Sequence, residues 1–159
     1  LRSLADQEHV PSSLATTDML DYGVAVPLLA ADIDQKTTIV PIAIDHLSRE
    51  MIVRIGHVVN EAIHQSSDRI AVIASADLEE RSSADHDPKR PTPWERSIAT
   101  AIRNGDPEEL PTDDGRSCGF SPIAVLLSVL NPTPATGTIL HFDAPFRVGY
   151  MVADISLKR

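Results

Sequence analysis

The chain has 159 residues, of which 42% are hydrophobic and 23% charged, a composition and length typical of one globular domain over residues 1–159. Its 14 Lys and Arg against 23 Asp and Glu give a formal net charge of −9, which repels phosphate backbones and anionic lipid heads and argues against nucleic acid or a membrane as partner. Because a single cysteine cannot form an internal disulfide and no secretory signal is visible, we expect a cytoplasmic protein.

The first half of the chain alternates strand and helix patterns. A turn is predicted at residues 21–23, and the β-branched apolar run 37–44 predicts a strand that is buried on both faces. Ser48 is a favoured N-cap for a helix over 49–64, whose apolar residues recur at helical spacing. A further strand is predicted over 70–75, and this strand–helix–strand order indicates a right-handed parallel crossover in an α/β fold.

Two helices and a pair of strands are predicted in the second half. Residues 79–92 are polar, charged and proline-containing, so we expect a loop over the carboxyl edge of the sheet that could act as a lid. A helix is predicted from Pro93 to Asn104-Gly105, since Pro suits a first helical turn and Asn and Gly favour a C-terminal stop. The remaining predictions are a helix over 123–130 and strands over 138–142 and 148–155.

Acidic residues follow the predicted strand 70–75, at the edge where open α/β sheets build their sites. Asp77 is the first of them and the best candidate for a site residue, although a carboxylate at this place could equally cap the following turn. Glu80 could act as a general base or a metal ligand, whereas a solvated charged turn together with Glu79 and Arg81 is the simpler interpretation.

The single cysteine lies in a second distinctive segment, Cys118-Gly119, directly before an apolar helix. Free cysteine is commonly buried as a small hydrophobic residue, and this interpretation is favoured over a ligand or nucleophile because no histidine is nearby in the sequence. His57, Glu61 and His64 have a spacing that could serve a metal, but they lie opposite the apolar stripe of their helix and are expected to face water.

Several short segments occur in a recognisable order: Asp21-Tyr22-Gly23, Ile39-Val40-Pro41-Ile42, Ala74-Ser75-Ala76-Asp77-Leu78, Cys118-Gly119 and a Val148-Gly149-Tyr150 ending. In this order the chain resembles class III extradiol ring-cleavage dioxygenases of the LigB type and Memo-like proteins. The resemblance implies a three-layer α/β sandwich with a central, mostly parallel or mixed sheet. It also implies a site at the carboxyl ends of the strands.

In the dioxygenases a ferrous iron is held by two histidines and a carboxylate, and a further histidine acts as acid and base. This chain has Tyr22 where the family has the histidine of Asp-His-Gly, and Glu80 where it has that of Ser-Gly-Asp-Leu-Ser-His. Cys118 stands where Memo-like proteins carry a cysteine near their metal site. The resemblance thus implies Asp77 and Cys118 as metal ligands, Asp77, Glu80 and Tyr22 as catalytic candidates, and Fe(II) as the metal.

These observations leave more than one function open. The first is a LigB-like domain with a degenerate centre, which does not cleave catechols because the family histidines are replaced. The second is a divergent Fe(II)-dependent dioxygenase acting on an aromatic substrate, with its missing ligands upstream of a chain that begins at Leu1 rather than methionine. The third is a binding or scaffold subunit that keeps the fold and pairs with another chain or a second copy.

Overall fold

The computed structural model describes residues 1–14, 19–34, 36–45, 47–81, 87–115 and 117–157. Its elements in chain order are α1 (Arg2–Gln7), α2 (Tyr22–Ala30), α3 (Arg49–Gln65), α4 (Pro93–Asn104), a short 3-10 helix (Pro107–Glu109), α5 (Phe120–Leu130), β1 (Ala135–Asp143) and β2 (Tyr150–Leu157). The fold of these ranges is α/β, with helices and a small antiparallel sheet of β1 and β2. None of their helices is long and apolar enough to cross a membrane.

One apolar core joins α3, α4 and α5 to the sheet. Its buried members are Ile52, Val59, Leu78, Trp94, Ile98, Ile102, Phe120, Ala124, Val125 and Val129. Burying side chains of this size stabilises a fold by roughly 1.5–3 kcal/mol each. A smaller cluster of Ala5, Val10 and Val58 attaches α1 to α3. The core therefore depends on the three longest helices, whose apolar spacing is visible in the sequence.

Local sequence signals set the helix ends. The Ser48 hydroxyl accepts a hydrogen bond from the Met51 N–H at 3.3 Å and begins α3, as predicted. Thr92 begins α4 with a capping box, and Gly105 ends the helix in the left-handed conformation with φ of 64°. The predicted bounds of α4 are thereby confirmed, while α5 begins at Phe120 rather than at residue 123.

Helices α3 and α5 approach each other closely at a glycine. A Cβ placed on Gly56 would lie 2.5 Å from the Cβ of Ser128 and 2.9 Å from its carbonyl carbon. One turn further along α3, the Asn60 side-chain amide donates a hydrogen bond to the Val129 carbonyl at 2.7 Å. The two helices can meet at this distance only because residue 56 has no side chain.

The C-terminal strand pair is confirmed as β1 and β2, with bounds that differ from the predicted ones. At the other end of the chain, residues 21–23 form the start of α2 rather than an isolated turn. The Asp21 carboxylate accepts a hydrogen bond from the Val24 N–H at 3.1 Å, so it caps the helix that follows. Helix α2 contributes no buried residue to either core cluster.

Two of the predicted strands are not strands in the structure. Residues 37–44 and 70–75 are irregular, and no backbone–backbone hydrogen bond joins residues 38–44 or 70–76 to another described residue. Their side chains were expected to be buried, yet Val40 is 62% and Ile73 is 53% exposed. The predicted crossover is therefore wrong here, because an extended segment becomes a strand only when a neighbour pairs with its backbone. The three-layer sandwich stays a prediction.

Replacing Gly56 with alanine is expected to destabilise the protein by about 1–3 kcal/mol, because the new methyl group forces α3 away from α5. The higher helix propensity of alanine, worth about 1 kcal/mol, offsets only part of this cost. Urea unfolding measures the difference. Val53→Ala, at a position of the same helix that is 53% exposed, is the control and should change stability by no more than about 0.5 kcal/mol. If Gly56→Ala were as stable as the wild type, this result would contradict the close contact between α3 and α5.

Candidate functional site

The structure brings Asp77 and Cys118 together, although they are far apart in the sequence. The backbone carbonyl of Asp77 accepts a hydrogen bond from the Ser117 hydroxyl at 3.0 Å, and it lies 3.8 Å from the Sγ of Cys118. The Ser117 hydroxyl also accepts from the Gly119 N–H at 3.0 Å. We call these four residues, Asp77, Ser117, Cys118 and Gly119, the Asp77–Cys118 site.

The glycine of this site is required by the closeness of the two segments. A Cβ on Gly119 would collide with the carbonyl oxygen of Asp77. Gly119 itself is buried, and the first turn of α5 follows it directly. The absence of a side chain therefore lets the turn before α5 rest against the Asp77 backbone.

The side chains of both candidate residues, Asp77 and Cys118, are accessible. Cys118 is exposed, so the interpretation that it is a buried hydrophobic residue is wrong. The reason is its place on the turn before α5, where Gly119 and Phe120 face the core instead. Asp77 is also exposed, and its carboxylate makes no hydrogen bond within the described ranges, so it does not cap the following turn there. A thiol and a carboxylate on adjoining segments are thus both open to a ligand.

The other two candidates are not hydrogen-bonded to the Asp77–Cys118 site within the described part of the chain. Tyr22 is 83% exposed on α2. Glu80 is exposed and forms an isolated antiparallel bridge with Val148 through its backbone, which agrees with a solvated turn. No group of three or more His, Cys, Asp or Glu residues that could hold a metal ion occurs among the residues described.

The histidines of α3 lie on its exposed side, as predicted. Nε2 of His57 is 3.7 Å from a carboxylate oxygen of Glu8, and Nδ1 of His64 is 2.9 Å from the Asn60 carbonyl. Glu61 is hydrogen-bonded within the helix. Each side chain therefore has its own neighbour, and they do not converge on one point.

A buried ion pair contacts the segment of residues 77–81, which we call the acidic segment, on the side that faces the core. The side chains of Arg81 and Glu95 are 1% and 0% exposed, and their Nη2 and Oε2 atoms are 2.5 Å apart. Arg81 also donates from Nη1 to the Asp87 carbonyl at 2.8 Å, and its guanidinium carbon lies 5.3 Å from the centre of the Phe142 ring. Two opposite charges can be buried at this depth because each neutralises the other.

The Arg81–Glu95 pair is not predicted by the sequence pattern. Arg81 follows two acidic residues and was expected in a solvated turn, which is wrong, since it is only 4% exposed. The spacing Thr92-Pro93-Trp94-Glu95 is that of a capping box and could have identified Glu95. Glu95 accepts from the Thr92 N–H at 2.7 Å, and the Thr92 hydroxyl donates to Glu79 at 2.6 Å. The cap of α4 is thus continuous with the acidic segment.

The predicted lid, residues 79–92, is fixed at its two ends. At the first end the Arg81 N–H donates to the Arg147 carbonyl at 2.7 Å, and at the second end Thr92 caps α4. Residues 82–86, which include His86, lie outside the described residues. Closure of a lid therefore stays a prediction.

The described ranges form an α/β domain in which the Asp77 backbone contacts the turn before α5. The family model described as Memo-like protein matches residues 20–148, and the chain belongs to this family. Because Memo-like proteins are part of the superfamily of LigB-type dioxygenases, the superfamily prediction is confirmed.

One curated protein is also similar to this chain. The chain is similar to Protein CA_C1420 of Clostridium acetobutylicum, with 30% identity over an alignment of 169 positions that covers 94% of this chain and 36% of that protein. The chain thus spans only 36% of the length of this relative. No solved structure matches this chain.

Replacing Gly119 with alanine is expected to move the Cys118 turn away from the Asp77 carbonyl, because the new Cβ collides with that oxygen. The single thiol should then react severalfold faster with a disulfide reagent in the folded protein, since the Asp77 carbonyl no longer lies against its sulfur. Gly23→Ala is the control, because its Cβ would meet only the Asp21 carboxylate at 3.2 Å. A wild-type rate for folded Gly119→Ala would show that the two segments do not touch in solution.

Proposed function

We propose that this chain is a Memo-like domain with a degenerate metal centre, which does not cleave catechols. The observation that supports this most is the composition of the Asp77–Cys118 site. It joins one carboxylate and one thiol through the Asp77 carbonyl, 3.8 Å from Sγ, and it contains no histidine. The two positions where the dioxygenases have histidines carry Tyr22 and Glu80 instead.

These residues do not fit the two-histidine, one-carboxylate face of a non-haem Fe(II) oxygenase. Asp77 offers the carboxylate, but Tyr22 lies on a helix without buried residues. A thiolate such as that of Cys118 suits softer metals, for example zinc or copper(I), better than it suits this iron site. No step of ring cleavage is therefore assigned to iron at these residues.

The full-length gene product, purified without oxygen and offered ferrous iron, is expected to hold far less than one iron per chain. Asp77→Ala and Cys118→Ser should give the same low value, because neither residue completes an iron site. Elemental analysis measures the iron, and oxygen uptake with catechols measures cleavage. Near-stoichiometric iron that is lost in both variants, but kept in the surface control Glu50→Gln, would support the alternative, a divergent Fe(II)-dependent dioxygenase.

The exposed apolar segments favour a second role, the binding of another polypeptide segment. Residues 38–44 and 70–76 form no backbone–backbone hydrogen bonds within the described residues, and side chains such as Val40 and Ile73 are exposed. Unpaired backbone with apolar side chains is what an added β-strand recognises. The proposed occupant is a β-strand from elsewhere in a longer polypeptide, since the chain covers 36% of its relative.

Hydrogen exchange of residues 38–44 and 70–76 tests this second role. These amides are expected to exchange freely in the 159-residue chain and to be protected in the full-length gene product, because only paired strand amides are shielded. Amides in the middle of α3 should be protected in both and serve as the control. Fast exchange in both proteins would refute strand addition. Protection that rises with the concentration of the short chain would identify a second copy as the occupant instead.

A further inference from the structure

We propose that the buried Arg81–Glu95 ion pair positions the acidic segment, residues 77–81, rather than serving mainly to stabilise the core. It does so by fixing the register in which this segment pairs with residues 147–149. Residue 77 is thereby presented to the turn before α5. The inference concerns the framework of the Asp77–Cys118 site and goes beyond the proposed function, since it applies whether or not a metal binds.

The pairing of the acidic segment is short and needs support. Leu78 donates to the Gly149 carbonyl at 3.0 Å, Gly149 donates to the Glu79 carbonyl at 3.1 Å, and Arg81 donates to the Arg147 carbonyl at 2.7 Å. A shift of one residue between two extended segments turns every side chain to the opposite face. Such a shift would carry the Asp77 carbonyl away from Ser117 and Cys118.

The side chain of Arg81 fits only one register. Its Nη2 meets Glu95 on α4, its Nη1 meets the Asp87 carbonyl, and its guanidinium carbon lies over the Phe142 ring of β1. A guanidinium group can make these contacts together because its donors form a rigid planar fork. If the segment shifted by one residue, all three contacts would be lost at once.

Glu95 contacts the other side of the same pairing. A Cβ on Gly149 would collide with the Oε1 of Glu95, so this carboxylate lies directly against the Gly149 backbone. Gly149 is also the residue that exchanges hydrogen bonds with Leu78 and Glu79. The ion pair therefore touches both segments whose register is in question.

The ion pair is not optimised for stability. Arg81 Nε and Glu95 Oε1 are buried and have no hydrogen-bond partner within the described ranges. Replacing a buried ion pair with apolar side chains of similar size is often neutral or stabilising, whereas removing one partner is costly. Loss of register and loss of stability can therefore be separated by changing both residues together.

The double variant Arg81→Met, Glu95→Met is expected to unfold within a few degrees of the wild type, because both charges leave the core together. The amides of residues 78, 81 and 149 should nevertheless exchange about tenfold faster, since their hydrogen bonds are no longer held in one register. The reaction rate of the Cys118 thiol should change severalfold in the same protein. Hydrogen exchange resolved by residue and thiol titration measure both effects without any metal.

Two further variants separate positioning from stability. Ile98→Val removes a methylene from a fully buried side chain of the same helix and should speed exchange across the whole core, with no preference for residues 78, 81 and 149. Arg81→Lys keeps the charge but loses the fork, so it should loosen those same amides selectively.

The proposal would be overturned if the amides of residues 78 and 149 exchanged at the wild-type rate in the folded double variant and the thiol reaction rate were also unchanged. If the double variant does not fold, Arg81→Lys decides in its place. Selective acceleration at the three amides supports positioning, and unchanged amides refute it. Iron binding plays no part in these readouts, so failure of the degenerate-centre proposal leaves this test intact.

Discussion

Charge neutralisation inside the apolar core is the constraint on which much of this structure depends. Glu95 comes from the first turn of α4 and Arg81 from an irregular segment, and both are almost wholly buried. A carboxylate in such surroundings requires a cation and hydrogen bonds, so the cap of α4, the acidic segment and β1 must converge. Their convergence places the backbone of residues 78–81 beside residues 147–149.

The Asp77–Cys118 site follows from that placement and consists largely of backbone. Ser117 and Cys118 approach a carbonyl group, and Gly119 is needed for the approach. This gives a physical reason for the residue types found at Ser117 and Gly119. Shared backbone geometry does not require shared chemistry, because the reacting side chains of a site can change while its framework is kept. The proposed degenerate centre agrees with this distinction.

The exposed segments 37–44 and 70–76 show how secondary structure depends on its surroundings. Their β-branched, apolar composition predicts interior strands, but no backbone–backbone hydrogen bond joins residues 38–44 or 70–76 to another described residue. The chain belongs to the Memo-like family and yet covers 36% of the length of its relative. A sheet built from these segments remains a proposal about the longer polypeptide.

The sequence by itself determined the features that depend on neighbours along the chain. Ser48, Thr92 and Gly105 set helix ends through bonds to residues within a few positions, so α3 and α4 were predicted closely. The family was also predicted, from the order of short segments. Tertiary structure decided the burial of Arg81, the exposure of Cys118 and the absence of strands at 37–44 and 70–75. Each of these depends on a distant partner, such as Glu95 or a neighbouring strand, which the local pattern does not contain.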